Sequence, residues 1–182
     1  MPSWYPALVA ALGWQRAREA ALSKRHEAAR PGQRAANRSF PIMAAAHLGL
    51  FVLPFVEIRW AHRRPRWALF WLGLLAAATG LRWWCISSLG DQWNIHAAVP
   101  ADLAPVTRGP YRWIRHPNYL AVILEFAALP MAGGAWVSAL GLSLLDGAVL
   151  LDRIRAEEML LAQDPGYRAA FADKARFIPG IF

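Results

Sequence analysis

The sequence predicts an all-α, polytopic membrane protein of about five transmembrane helices, arranged as two helical hairpins plus an N-terminal helix. The composition is the first indication: 57% of the 182 residues are hydrophobic, the mean hydropathy is +0.23, and there are ten tryptophans. A soluble domain of this size is closer to half apolar. The second indication is the pattern, since long apolar segments alternate with arginine-rich ones. The length suits one domain, residues 1–182.

Residues 41–85 form the first predicted hairpin. Its first span, residues 41–60, has about the 20 apolar residues that a bilayer requires. The sequence AHRRPR then interrupts it, and Pro65 breaks the helix. The second span, residues 67–85, carries tryptophans near both ends, which suits anchoring at the membrane surfaces.

Residues 117–151 form the second predicted hairpin, because this apolar stretch is too long for one span. The sequence LPMAGGAW divides it into helices at 118–131 and 135–151, since a proline and two glycines favour a turn. Residues 86–116 are polar and rich in glycine and proline, which predicts a connecting loop. Residues 152–182 are predicted to be helical to about Gln163, before a break at Asp-Pro-Gly.

Residues 1–40 are predicted to contain a helix from Pro6 to about Ala29, followed by a basic loop. Arg16, Glu19 and Ser23 would share one face of that helix. Two placements remain open: an amphipathic helix on the membrane surface, or a first span whose charged end packs inside the bundle. The apolar stretch precedes the positive charges, the reverse of a secretory signal, so we expect the segment to be retained.

The distribution of charge predicts orientation and excludes some classes of function. Fifteen arginines and lysines lie in regions 15–38, 108–115 and 153–176, against four in region 59–66. The positive-inside tendency therefore places the three richer regions in the cytoplasm. The net charge is +8, but no nucleic-acid-binding motif accompanies it. The single cysteine, Cys85, argues against an internal disulfide and a multi-cysteine metal site.

The sequence GPYRWIRHPNYL, residues 109–120, places polar chemistry at the start of a predicted span. Pro117 disfavours helical geometry at His116 and suits the first turn of the next helix. The free N–H groups of that turn, together with Arg112, Arg115 and His116, would suit a carboxylate or a phosphate. The alternative is a basic patch that holds lipid headgroups.

Two more polar segments fall on the same predicted side. In DRIRAEEMLL, residues 152–161, the acids could form ordinary ion pairs on a helix surface, or could bind a cation or the amine and hydroxyls of a ligand. LGDQWNIHAAVP, residues 89–100, is a polar loop. His47 and Glu57 lie inside a predicted span, where an ionisable group usually has a partner or a function. Glu57, near the end of the span, could instead extend to the interface.

These motifs together resemble the isoprenylcysteine carboxyl methyltransferase family over about residues 80–182. The resemblance rests on Arg-His-Pro-Asn-Tyr, the apolar hairpin, RIRAEE, and PGYRAAF at 165–171. It implies an integral-membrane enzyme that uses S-adenosylmethionine in a cytoplasmic pocket built from the C-terminal half. LSKRHEAA, FPIMAAAHLGLF and LGDQWNIHAAVP look like the bacterial branch associated with type III polyketide synthases, whose members methylate alkylpyrones or alkylresorcinols. The expected location is the bacterial inner membrane.

The resemblance implies the cofactor-binding residues, and the chemistry of methyl transfer suggests roles for others. Those expected to bind S-adenosylmethionine are Tyr111, His116, Pro117, Tyr119, Glu157, Glu158 and Tyr167, with Phe171 helping to close the pocket. The expected catalytic residues are Arg115, His116, Arg153 and His96: the arginines to hold an anionic acceptor, the histidines as bases for a phenol. The expected acceptor-binding residues are Trp93, Asn94, Glu19 and His47.

The expected partners are a lipophilic small molecule and membrane lipids, with no nucleic acid and no metal. Three alternatives remain open at this point. The acceptor could be the carboxylate of a prenylated cysteine, or it could be a phospholipid amine. The chain could also be a lipid-binding scaffold without enzymatic activity.

Overall fold

The computed structural model describes residues 1–35, 39–62, 64–100 and 102–178. Within this part of the chain there are six α-helices and one pair of short strands. The helices are α1 (Tyr5–Ala29), α2 (Phe40–Trp60), α3 (Ala68–Leu89), α4 (Pro117–Gly133), α5 (Trp136–Leu161) and α6 (Pro165–Phe171). The strands are β1 (Gly32–Arg34) and β2 (Ala98–Pro100).

Two helices are long and apolar enough to cross a membrane: α2, and the segment Ala68–Gln92 that contains α3. Only 22% of the residues in the apolar window of each are buried. Large side chains such as Leu48 and Leu69 therefore point outward, being 68% and 86% exposed. Such an apolar exterior is unfavourable in water and is normal in a bilayer. The short connection predicted for the first hairpin is present, with helix ends within a few residues of the expected ones, but α2 packs chiefly on α5 and α3 on α4 rather than on each other.

The second hairpin is also present, and its turn has a clear local cause. Gly134 follows α4 with φ +89°, a left-handed conformation that favours glycine. A Cβ at Gly134 would also lie 2.7 Å from the carbonyl oxygen of Arg64, in the turn between α2 and α3. The two hairpin turns thus touch each other, and this contact holds both hairpins together at one end.

Glu57 strengthens this end of the bundle. Its carboxylate accepts hydrogen bonds from Ser138 N and Oγ, both at 2.7 Å, and from Val137 N at 3.2 Å. The backbone N–H groups of Val137 and Ser138 belong to the first turn of α5 and have no partner within their own helix. A carboxylate there also interacts favourably with the helix dipole. Glu57 therefore caps α5 from α2, rather than extending into solvent.

The N-terminal helix packs against the same end through Tyr5. This side chain is fully buried and donates a hydrogen bond to Leu129 O at 3.1 Å. Its ring meets Phe55 of α2 edge-on, with centroids 5.5 Å apart. Further along α1, Glu19 and Ser23 are buried, so the helix presents the polar face predicted from sequence to the bundle.

At the opposite end, the loop that follows α3 folds onto α1 and forms a short β pair that the prediction of a helical chain did not include. β1 and β2 pair antiparallel, with Gln33 opposite Val99. The loop docks through Ser23 Oγ, which accepts a hydrogen bond from Ile95 N at 2.9 Å. The pairing depends on this docking between distant parts of the chain, so local sequence patterns do not indicate it.

The helix α5 continues past the apolar stretch and ends at Leu161, as the helical pattern to Gln163 indicated. Asp164 then caps α6, since its side chain accepts a hydrogen bond from Tyr167 N at 2.6 Å. Pro165 occupies the first turn, where its missing N–H has no cost. The Asp-Pro-Gly break is therefore the start of a new helix.

We expect Gly133→Ala to destabilise the protein. A Cβ at this position would lie 2.5 Å from Ile58 Cδ1 and 2.7 Å from Tyr5 Cε2, and the hydrogen bond to Leu129 O holds the Tyr5 ring in place. Overpacking of this kind costs about 1–3 kcal/mol, more than the gain in helix propensity of about 0.5–1 kcal/mol. Thermal denaturation in detergent should show a lower midpoint than wild type.

Gly141→Ala on α5 is the matched control, because a Cβ there meets nothing within 4 Å. We expect its midpoint to equal or exceed that of wild type. If the two variants melted alike, close packing at Gly133 would not limit stability.

Candidate active site

The Arg-His-Pro-Asn-Tyr sequence forms the junction between the connecting loop and α4. His116 is the residue before the helix, and its φ of −123° and ψ of 53° are not helical. Pro117 occupies the first turn, as expected. His116 is only 4% exposed, and its ring stacks on Tyr119 with centroids 5.3 Å apart. The motif therefore turns its histidine inward.

Glu158, near the end of α5, contacts both His116 and the C-terminal segment, and so links the two. Its Oε1 lies 3.1 Å from His116 Nε2. Arg176 donates two hydrogen bonds to Glu158 Oε2, from Nη2 at 2.7 Å and from Nε at 3.1 Å. Backbone bonds from Arg115 N to Ala175 O and from His116 N to Arg176 O continue the contact. One carboxylate thus holds three parts of the chain together.

This environment also fixes the ionisation of Glu158. Burial raises the pKa of the carboxyl, but hydrogen bonds from His116 and Arg176, and their charges, outweigh it and lower the pKa to about 2. Glu158 is therefore an anion throughout the physiological pH range.

Glu157, the neighbouring acid, lies in a different environment. It accepts a hydrogen bond from the hydroxyl of Tyr119, and the same hydroxyl accepts one from Arg153 Nε at 2.7 Å. Arg153 is 5% exposed, and its Nη2 donates to Ile95 O at 2.7 Å. The twin acids are thus both next to the Arg-His-Pro-Asn-Tyr turn, but each contacts a different side chain of it.

Tyr119, Arg153 and Glu157 form one wall of an open pocket. Aromatic side chains are prominent around it, together with a few polar groups. The lining includes Trp93, Tyr111, Arg115, His116, Asn118, Tyr119, Arg153, Glu157, Tyr167 and Phe171. We refer to it as the α4–α6 pocket.

Tyr167 and Phe171 of α6 stack with centroids 4.5 Å apart at one side of this pocket. Burial, followed by the nearby charges of Glu157 and Glu158, raises the pKa of Tyr167. Its phenol is therefore neutral at physiological pH. The pocket thus combines neutral aromatic faces with a carboxylate and a guanidinium.

A second cavity adjoins the first and extends between α1, α2 and α5. It is largely apolar, with Phe40, Leu48, Phe51, Val122 and Leu150 among its lining residues. Several side chains line both cavities: Trp93, Asn94, Asn118, Tyr119 and Arg153. We refer to this one as the α1–α5 cavity. A polar pocket and an apolar cavity therefore meet at a shared wall.

A buried charge cluster lies beside the α1–α5 cavity. Arg82 of α3 donates from Nε to Glu19 Oε2 at 2.9 Å. Arg16 of α1 forms ion pairs with both Glu19 and Glu125 of α4. Glu19, Arg82 and Glu125 are each at most 6% exposed. Three helices are thus joined by charges that water barely reaches.

The structure brings most of the residues predicted from sequence to the two cavities. Tyr111, Arg115, His116, Tyr119, Arg153, Glu157, Tyr167 and Phe171 line the α4–α6 pocket. The four residues expected to bind an acceptor, Trp93, Asn94, Glu19 and His47, line the α1–α5 cavity. Both ends of the Asn94 amide also bond to loop backbone, including Ala98 N and O at 2.7 Å each, so this side chain also shapes the loop.

Three of the predicted residues lie elsewhere. Glu158 and Pro117 are behind the wall of the pocket rather than on it. His96 lines neither cavity, and its Nδ1 is 2.6 Å from Glu27 Oε1. Glu27 also accepts hydrogen bonds from Ser23 and Arg34, so His96 belongs to the contact that docks the loop on α1.

Sequence reasoning missed several polar residues at the cavities: Arg16, Arg82, Asn118 and Asp146, with Glu125 behind them. A usable signal was present. Arg82, Glu125 and Asp146 are ionisable residues inside predicted spans, the same feature that singled out His47 and Glu57.

Comparison with known proteins agrees with this architecture. The family model for the isoprenylcysteine carboxyl methyltransferase (ICMT) family matches residues 71–163. The chain belongs to the isoprenylcysteine carboxyl methyltransferase family. It is also 32% identical over 162 residues to the protein YpbQ of Bacillus subtilis, a match that covers 86% of this chain and 95% of that protein.

Membership in the isoprenylcysteine carboxyl methyltransferase family implies a methyltransferase of the membrane. The two membrane-capable helices agree with that location. Methyltransferases of this family generally use S-adenosylmethionine. The matched segment contains the His116 turn, α4 and α5, and ends just before α6.

We expect Glu158→Gln to release the C-terminal segment. The variant loses the charge that holds His116 and Arg176 together, and a hydrogen bond to a charged group contributes about 1.5–3 kcal/mol. Trypsin should then cleave after Lys174 several-fold faster than in wild type, as followed by mass spectrometry. Asp102→Asn, at an exposed acid of the connecting loop, should digest like wild type.

The low pKa of Glu158 also predicts a pH dependence. Because folding lowers this pKa from 4.5 to about 2, the ionised carboxylate contributes stability that is complete above pH 4.5 and is lost as the pH falls through about 2. The difference in melting temperature between wild type and Glu158→Gln should therefore be constant from pH 7 to 5 and shrink below 4.5. A difference that shrank already between pH 7 and 5 would contradict this assignment.

Proposed function

We propose that the protein transfers a methyl group from S-adenosylmethionine to an oxygen of a lipophilic acceptor. The observation that supports this most directly is the shared wall. A pocket of aromatic and charged side chains suits a water-soluble donor, and the adjoining apolar cavity suits an acceptor dissolved in the membrane. Trp93, Asn118 and Tyr119 border both, so two ligands placed there would be neighbours.

The α4–α6 pocket fits S-adenosylmethionine in the chemistry of its side chains. Aromatic faces such as Tyr119 and Tyr167 attract a sulfonium through cation–π interactions and can stack on a nucleobase. The Glu157 carboxylate suits an ammonium group or ribose hydroxyls, and the Arg115 guanidinium suits a carboxylate. When bound, S-adenosylmethionine supplies an activated methyl group, which leaves positioning and the exclusion of water to the protein.

The shared wall has a defined polar arrangement. Arg153 and Glu157 both bond to the hydroxyl of Tyr119, and burial keeps water from competing for these contacts. An arginine in this position can hold the oxygen of an acceptor and stabilise a negative charge on it. His116 lines the pocket and stacks on Tyr119. In this proposal its imidazole acts as the base if the acceptor is a phenol.

The acceptor class that we propose is a polyketide-derived alkylpyrone or alkylresorcinol, on the basis of the sequence resemblance described above. Its alkyl chain would occupy the apolar α1–α5 cavity, whose walls include Leu48 and Phe51 of α2. In this proposal both cavities open on the cytoplasmic side of a bacterial inner membrane, an orientation that the positive-inside count supports. In this arrangement α1, α4 and α5 would join α2 and α3 in the bilayer.

Two other acceptors define the alternatives that experiment must separate: a prenylated cysteine carboxylate and a phospholipid amine. Detergent-purified protein should be supplied with labelled S-adenosylmethionine and a panel containing an alkylpyrone, an alkylresorcinol, a prenylcysteine and a phosphatidylethanolamine. We expect label in the first two. Transfer to either of the others would replace the proposed acceptor, and no S-adenosylmethionine binding at all would refute the enzyme proposal.

Glu157→Gln tests the donor site separately. Removing this carboxylate should weaken S-adenosylmethionine binding about 10–100-fold, the effect of one hydrogen bond to a charged group. Equilibrium dialysis with labelled donor measures this without any acceptor. Asp173→Asn is the matched control, an exposed acid that does not line the pocket, and it should bind as wild type does. Unchanged binding in Glu157→Gln would place the donor elsewhere.

A further inference from the structure

Asp146 of α5 is the one acid lining the α1–α5 cavity that has no partner among residues 1–35, 39–62, 64–100 and 102–178. It is 2% exposed, yet its carboxylate makes no hydrogen bond or ion pair to that part of the chain. The cavity's other acid, Glu19, is bonded by Arg16, Arg82 and Gln15. A buried carboxyl without a partner is costly, and a ligand in the cavity would supply what is missing.

The neighbouring cation does not satisfy Asp146. Arg153 lines the same cavity, but its donors are directed to Tyr119 OH, Ile95 O and Met43 Sδ. It also lies seven residues further along α5, or two turns and about 10 Å toward the shared wall. The charges of Arg153 and Glu125 act on Asp146 only at longer range, and its carboxylate, which lines the cavity beside Leu150 and Val122, keeps an acceptor site free.

The balance of charge around the cavity indicates what kind of head group would fit. The charges of the arginines Arg16, Arg82 and Arg153 are already matched by acids: Glu19 and Asp146 line the cavity, while Glu125 and Glu157 lie beside it. An anionic ligand would add an uncompensated charge in a buried, apolar setting, which is expensive. A neutral hydroxyl adds no charge and offers the hydrogen-bond donor that a carboxylate requires.

We propose that Asp146 accepts a hydrogen bond from a neutral, hydroxyl-bearing head group of the lipophilic acceptor, and so selects hydroxylated acceptors over anionic ones. This inference rests on the proposed function, because it names the acceptor class of the same site. Asp146 lies two turns of α5 from the shared wall, so the hydroxyl that it binds is a different one from the oxygen that receives the methyl group. Asp146 therefore determines specificity and takes no part in the transfer step.

The test measures binding in nanodiscs without S-adenosylmethionine. The probes are 5-pentadecylresorcinol, its dimethyl ether, which has the same chain but no donor, and palmitate, which is anionic at pH 8. Binding is followed by quenching of tryptophan fluorescence, with empty nanodiscs as the partition blank. Wild type should bind the resorcinol about 10–100-fold more tightly than the ether, the effect of one hydrogen bond to a charged group.

Asp146→Asn should reduce this preference at least severalfold, chiefly by weakening resorcinol binding. Asp152→Asn is the matched control, since it makes the same change six residues along α5, at an exposed acid that accepts a hydrogen bond from Ser39 Oγ at 2.6 Å. It should keep the wild-type preference. The comparison of resorcinol and ether in wild type needs no variant. It therefore still tests the proposal if Asp146→Asn does not fold.

Equal affinity of wild type for the resorcinol and the ether, tighter binding of palmitate, or an undiminished preference in Asp146→Asn would each overturn the inference. The outcome is separable from that of the transfer assay. Binding with the expected preference but without methyl transfer would refute the enzyme proposal alone. Transfer to a carboxylate acceptor, without preference for the resorcinol, would refute the role of Asp146 and leave the enzyme.

Discussion

The pairing of charges inside an apolar bundle is the constraint on which this structure depends. An unpaired ion in a buried, apolar setting is costly, so the helices can pack closely only if Arg82, Glu19 and Arg16 form ion pairs with one another. Through them α1, α3 and α4 are joined at fixed positions. The same contacts form one side of the α1–α5 cavity. Folding and the shape of the cavity therefore depend on the same side chains.

Apolar periodicity and helix breakers predicted the helical framework. The hairpin turn at Gly134 was predictable because glycine permits its positive φ. The β1–β2 pair was not, because it forms only when Ser23 holds the loop at Ile95. Three-residue strands carry little signal of their own. Local patterns thus identify helices, and contacts between distant segments create the rest.

The candidate site shows the same division. The motif around His116 and the twin acids could be recognised from residue types, and they do lie together. The different positions of the two acids could not be predicted. Which acid lines the pocket and which one binds the C-terminal segment depends on the rotation of α5 about its axis. Glu157 faces Tyr119, whereas Glu158 faces Arg176. Asp146 could be singled out from sequence as an ionisable residue inside a predicted span, but only the fold shows that no side chain in the described part of the chain pairs with it.

The capping of α5 by Glu57 has a consequence for how ligands enter. Glu57, Tyr5 and the touching turns at Gly134 fasten the helices at one end of the bundle, while both cavities lie at the other. Widening at the cavity end must therefore break the contacts that dock the loop after α3 on α1, such as those of Ser23 and Glu27.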